Sequence, residues 1–176
     1  MPSPLGHALA GLAAGWAVLP RDIGDQVRAR HAVVQRRTRP AVAWTLLICV
    51  VSLLPDLDLL IGAHSQWSHS VGAVVFVLGL SYLVLGRRLR LAAAIAAAFA
   101  THPILDWLGQ DGTPPYGVMA AWPFSERYFH SGFDLFMGIS RRYWLPGFVS
   151  HNLSAIAREL AVLGPLAVAV WMARRR

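Results

Sequence analysis

Uncharged apolar runs of 14 to 17 residues alternate along this chain with clusters of arginine, and that alternation limits the fold more than any other feature. Five apolar segments stand out: Pro4 to Leu19, Pro40 to Leu60, Ser70 to Gly86, Leu91 to Leu108, and about Ala155 to Ala173. Each suits a bilayer span of roughly 20 residues with polar groups at its ends. Lipid leaves backbone hydrogen bonds no outside partner, so only helices or closed barrels span it. Stretches such as LAAAIAAAFA lack the alternation of barrel strands and have high helix propensity. The expectation is an all-α, polytopic helix bundle of about five transmembrane helices, forming one membrane domain over residues 1–176. Charged residues make up only 14% of the chain, against about a quarter in soluble domains.

The arginines give this bundle an orientation. All sixteen basic residues are Arg, and twelve of them fall between Arg21 and Arg39, at Arg87, Arg88 and Arg90, and at Arg174 to Arg176. Basic clusters between spans mark cytoplasmic loops, so the net charge of +7 reads as topology. No aromatic-interleaved basic motif accompanies it, and nucleic acid is not an expected partner. The N-terminus then starts outside, and the first span is retained rather than a signal peptide, because its Arg cluster follows the apolar run. Residues 109–154 become a long extracytoplasmic segment rich in proline and aromatics, expected to rest in the membrane interface as a loop or short helix. The single cysteine, Cys49, lies in an apolar run and supplies neither a disulfide framework nor a metal knuckle.

Under this topology six of the seven histidines and most of the acids gather on the outer side, with His31, Asp22 and Asp25 left in the cytoplasmic loop. In HPILD, His102 and Asp106 lie four apart on a helix and share a face. In LPDLD, Pro55 should end or kink the second span and expose Asp56 and Asp58 at the boundary. HSQWSHS supplies His64 and His69, with Ser68 as the expected N-cap of the third span. His7 sits among small residues near the outer start of the first span. His130 and Asp134 repeat the four-residue spacing on the outer segment, and Glu159 is the acid one turn into the last span. Imidazoles and carboxylates are the donors that zinc and similar divalent ions take. Each pair alone could be a hydrogen bond between helices; their gathering on one face favours a metal site.

The order GH, PDxD, HxxxxHS, HxxxD, WPFS, running from about His7 to Ser125, resembles a bacterial inner-membrane metal-dependent hydrolase family described as LexA-regulated and distantly similar to zinc-dependent phospholipase C. The resemblance implies that His7, Asp56, Asp58, His69, His102 and Asp106 are metal ligands or their immediate partners, with Asp106 bridging two ions. It also implies that Trp122 to Ser125 form a wall of the site. Ser65 and Gln66 depart from the Arg-Gly that the family shows after the first His of its HRGxTHS motif.

The functional expectation is a hydrolase of the bacterial inner membrane with its site facing outward, using one to three divalent ions, zinc first and manganese or magnesium as alternatives. Metal-activated water would need no side-chain nucleophile, and the absence of HExxH and GxSxG agrees with that. Asp56, Asp58 and Glu159 are the candidates for catalytic proton transfer, and a phosphoester or phosphodiester of a membrane lipid or lipid-linked molecule is the expected substrate. Two other readings stand beside it, a non-catalytic metal-binding membrane protein and an ion transporter.

Overall fold

The computed structural model describes residues 1–21, 23, 40–62, 64–112 and 114–175, with only the backbone of Pro40 and Ala41. The rest of the Arg-rich stretch after Arg21, with His31, Asp22 and Asp25, lies outside the described residues.

Five α-helices form the described fold: α1 (Pro4–Val18), α2 (Pro40–Leu53), α3 (Val71–Val84), α4 (Leu89–Leu108) and α5 (Phe148–Arg175). A 3-10 segment, Leu54–Ile61, continues α2, and a 3-10 turn, Trp67–His69, precedes α3. Among the described residues, three stretches are long and apolar enough to cross a bilayer: Val42–Ile61, Leu89–Leu108 and Phe148–Arg175, against the about five spans expected from the sequence. α1 and α3, with 15 and 14 residues, rise only about 21 to 23 Å.

α4 is the axis of the bundle. It packs against α1, α2 and α3, while α5 packs on α1. Its small residues explain its place, since Ala92, Ala94 and Ala98 are fully buried and let neighbouring backbones approach. The outward faces are as apolar as the core: Leu46, Val50, Val75, Phe76, Leu83 and Val168 are all exposed. Such an inversion fits lipid as the surrounding medium. At the Arg-bearing end, the Arg174 guanidinium donates to the carbonyls of Trp16, Leu19 and Pro20 and so caps the C-terminus of α1. The core there is apolar, with Leu19, Ile48, Leu91, Ala94 and Ala98 in contact.

Polar burial is confined to the other end. Ser3, His7, Ser52, Asp58, Ser65, His69, Ser70, His102, Asp106 and Glu159 account for the buried polar side chains among the described residues. They lie at the start of α1, the end of α2 and its 3-10 extension, the turn before α3, the end of α4 and the first turns of α5.

Residues 109–147 form bends, turns and two isolated bridges, Gly109 with Phe136 and Val118 with Phe129; the described part contains no helix. The segment is tied back to the bundle by backbone bonds from Val71 to Ala120 (2.9 Å), Gly72 to Trp122 (3.1 Å) and Leu135 to Leu108 (2.8 Å). Gly72 is required by this docking, because a Cβ there would stand 2.7 Å from the Trp122 carbonyl oxygen.

Candidate metal centre

Pro55 has the effect its position suggested. α2 stops at Leu53, and the backbone tightens to a 3-10 helix that ends at Gly62, in the left-handed conformation (φ 72°). With three residues per turn, positions 56 and 58 point about 120° apart, so the two aspartates diverge. Asp58 turns inward, where it accepts hydrogen bonds from Ser68 Oγ (2.7 Å) and lies 3.1 Å from both His64 Nδ1 and His69 Nδ1. Asp56 is partly exposed, with Oδ1 3.4 Å from His102 Nε2 and 3.8 Å from His64 Nδ1.

α4 presents His102 and Asp106 on one buried face, as the four-residue spacing requires. His102 Nδ1 is 2.7 Å from the Ser52 carbonyl. A carbonyl only accepts, so Nδ1 carries a proton. Nε2, which has no hydrogen-bond partner, faces the carboxylates of Asp56 at 3.4 Å and Asp106 at 3.5 Å.

His7, from the first turn of α1, stacks on the His102 ring at 3.7 Å between centroids and places Nε2 3.4 Å from Asp106 Oδ1. His69 arrives from the turn before α3. The N-cap of that helix is Ser70, whose hydroxyl accepts from Ala73 N at 3.0 Å, and not the expected Ser68. Ser68 is thereby free to hold Asp58. His69 Nε2 stands 3.1 Å from Asp106 Oδ2, within ion-pair reach but not aligned as a hydrogen bond. Burial alone would push the His69 imidazole down, but Asp106 and Asp58, flanking its two nitrogens, raise it to about 9.

The donors fall into two interlocking groups, His7–His102–Asp106 and Asp56–His64–His69, each with ligand atoms within 4.8 Å of one another. Five buried atoms lack a hydrogen-bond partner: His7 Nδ1, His69 Nε2, His102 Nε2 and both Asp106 carboxylate oxygens. Buried polar groups are normally hydrogen-bonded, whereas Asp106 has imidazole nitrogens at 3.1 to 3.5 Å but no aligned hydrogen bond. Two ligands about 2.1 Å from an ion at the tetrahedral angle stand about 3.4 Å apart. The spacings of 3.4, 3.4 and 3.5 Å around His7, His102, Asp56 and Asp106 match that value. The residues therefore fit a divalent cation.

Three expected site residues lie elsewhere. The Glu159 carboxylate accepts from Ser3 N at 2.6 Å and from Ser3 Oγ, and Ser3 in turn caps α1 through Gly6 N. His130 is engaged by backbone at both nitrogens, donating to Gly109 O (3.1 Å) and accepting from Gly132 N (3.2 Å), with Asp134 at 3.6 Å. Neither His130 nor Asp134 belongs to either donor group. The Trp122–Ser125 segment rests on the start of α3 through the Trp122 carbonyl and does not line the cleft described next.

A cleft of about 1130 Å³ is lined by three of the donors, His7, Asp56 and His64, and by Arg141, Arg142 and His151. Sequence reasoning had not singled out Arg141 and Arg142, nor Ser52. Ser52 contributes through its carbonyl, which any residue carries; the arginine pair, by contrast, was visible as the one adjacent basic pair outside the three Arg clusters.

No curated protein and no solved structure matches the chain. Its membrane-length helices, together with a family model that matches residues 1–176, show that the chain belongs to the YdjM inner membrane protein family, a family of the bacterial inner membrane.

Proposed function

We propose that this protein is a metal-dependent hydrolase that cleaves a phosphoester or phosphodiester of a lipid-like substrate at the outer end of the bundle. The observation carrying the reading is the convergence of five unpartnered buried atoms from His7, His69, His102 and Asp106. Such a set is costly empty and is relieved by a divalent ion, zinc being the best match to mixed imidazole and carboxylate donors.

His7, His102 and Asp106 would hold one ion and Asp56, His64 and His69 a second, with Asp106, whose oxygens face His7 on one side and His69 and His102 on the other, between them. Bound there, the metal supplies acidified water and positive charge for a developing oxyanion. The chain's own groups supply the rest. Ser52 and Asp58 orient the His102 and His69 rings through their Nδ1 atoms. Glu159 positions the start of α1, and with it His7, through Ser3.

Orientation is supported by charge. The donors occupy the end of the bundle opposite Arg87, Arg88 and Arg174, and arginine-rich ends face the cytoplasm. An ion path is disfavoured by the apolar packing of Leu19, Ile48, Leu91 and Ala94 in the described core of the Arg-bearing end.

The test is hydrolysis of bis-p-nitrophenyl phosphate by the detergent-purified full chain. Activity should be lost on chelation, restored by zinc or manganese, and absent in His102→Ala and Asp106→Ala proteins that still insert. Bound metal with no cleavage of any phosphate ester or carboxylic ester would favour a metal-binding protein without catalysis.

A further inference from the structure

Residues 138–142 line the same cleft as His7, Asp56 and His64, and the chain holds them with more anchors than a connection needs. Ser140 N donates to Asn152 Oδ1 (2.8 Å), and Asn152 Nδ2 donates to the Ser140 carbonyl (3.0 Å), which makes a two-point clamp from the first turns of α5. His151 Nε2 donates to the Gly138 carbonyl at 2.8 Å, and Ile139 N to the Met1 carbonyl at 3.0 Å. Gly138 permits the approach, since a Cβ there would lie 2.9 Å from Met1 N and 3.0 Å from the Gln110 carbonyl.

The clamp delivers Arg141 and Arg142 to the wall of the cleft that His7, Asp56 and His64 also line. Both arginines are exposed, and among the described residues no ion pair joins either guanidinium. Adjacent guanidiniums offer planar forks of donors matched to phosphoryl oxygens. The next two residues, Tyr143 and Trp144, are 76% and 66% exposed with their rings edge to face at 5.1 Å, the kind of pair that settles at a headgroup layer.

We propose that Arg141 and Arg142 are the anion-recognition element of this cleft and select a phosphate ester, gripping its non-reacting phosphoryl oxygens while the scissile bond faces the His and Asp donors. The proposal rests on the hydrolase reading for the fate of the ligand, but binding tests it without turnover. Phosphate monoesters in water and phospholipid headgroups share the recognised group.

The experiment titrates zinc-loaded full-length protein in detergent with inorganic phosphate and with glycerol phosphate, followed by tryptophan fluorescence. In parallel it measures association with nanodiscs containing phosphatidic acid. In Arg141→Gln/Arg142→Gln, phosphate affinity should fall at least tenfold with metal content and melting unchanged; Arg141→Lys/Arg142→Lys should recover part of it. A loss confined to nanodiscs identifies the lipid headgroup as ligand, and a loss with glycerol phosphate a soluble ester; both support the assignment. Wild-type phosphate affinity in the glutamine variant, in every arm, overturns it. Should phosphate binding depend on the arginines while no ester is cleaved, the hydrolase reading fails and this assignment survives.

Discussion

At the residue scale the centre is defined by which imidazole nitrogen is spoken for. Ser52 and Asp58 take the Nδ1 protons of His102 and His69, which turns both Nε2 atoms toward Asp106. Asp58→Asn should weaken metal binding about 10- to 100-fold, as losses of such orienting partners do, which a competitive zinc titration would measure. His69 must shed a proton to ligate, and its raised value of about 9 sets the pH dependence. Apparent metal affinity should climb roughly tenfold per pH unit from about 7 toward 9 and then level. The sign for stability without metal is opposite. A folded value above the ordinary 6.5 stabilises the chelated protein fully below pH 6.5, and that contribution disappears as pH rises through 9. Melting of chelated protein between pH 6 and 9.5 checks this. Glu159→Ala should leave Ser3 N without its acceptor, destabilise by about 1–3 kcal/mol and, by loosening the start of α1 that carries His7, weaken metal binding. Lost turnover with unchanged melting and metal would instead return Glu159 to a direct catalytic role.

Among the elements, close approach of α1, α2 and α4 is what brings donors from separate helices together. Gly11 in α1 faces Ser52, and a Cβ at Gly11 would stand 2.3 Å from the Ser52 Cβ. Gly11→Val should therefore cost about 1–3 kcal/mol by overpacking and also shift the Ser52 carbonyl that orients His102. Lower melting together with weaker zinc binding would bear this out; lower melting alone would separate the packing from the site. Local rules made much of this readable beforehand. A four-residue step on a helix placed His102 with Asp106, and a proline's missing N–H released Asp56 and Asp58 from α2. What escaped depends on partners far away in sequence. Ser70 rather than Ser68 caps α3, and Ser68 donates instead to Asp58. Of the loop or short helix expected after Gly109, the described residues form the loop, tied by backbone bonds to Val71, Gly72 and Leu108 that no local pattern records.

For the whole molecule, composition and Arg placement already described a lipid-embedded helical bundle with its histidines and acids gathered at one end, while the burial of Ser3, Ser52 and Ser65 beside them needed the fold to be seen. The two ends predict different exposure. With Cys49 replaced by Ala, a cysteine put at Phe124, 95% exposed on the loop after α4, should react with a membrane-impermeant thiol reagent from outside intact spheroplasts. Labelling only after lysis would invert the orientation. Metal should also stabilise the entire bundle, by about 2.7 kcal/mol at a hundredfold excess over its dissociation constant. The most direct test of the centre itself is X-ray absorption at the metal edge of the purified protein. A shell of nitrogen and oxygen donors with imidazole scattering is expected, lost in both His102→Ala and Asp106→Ala. Metal absent above background, or an unchanged shell in both variants, would contradict it.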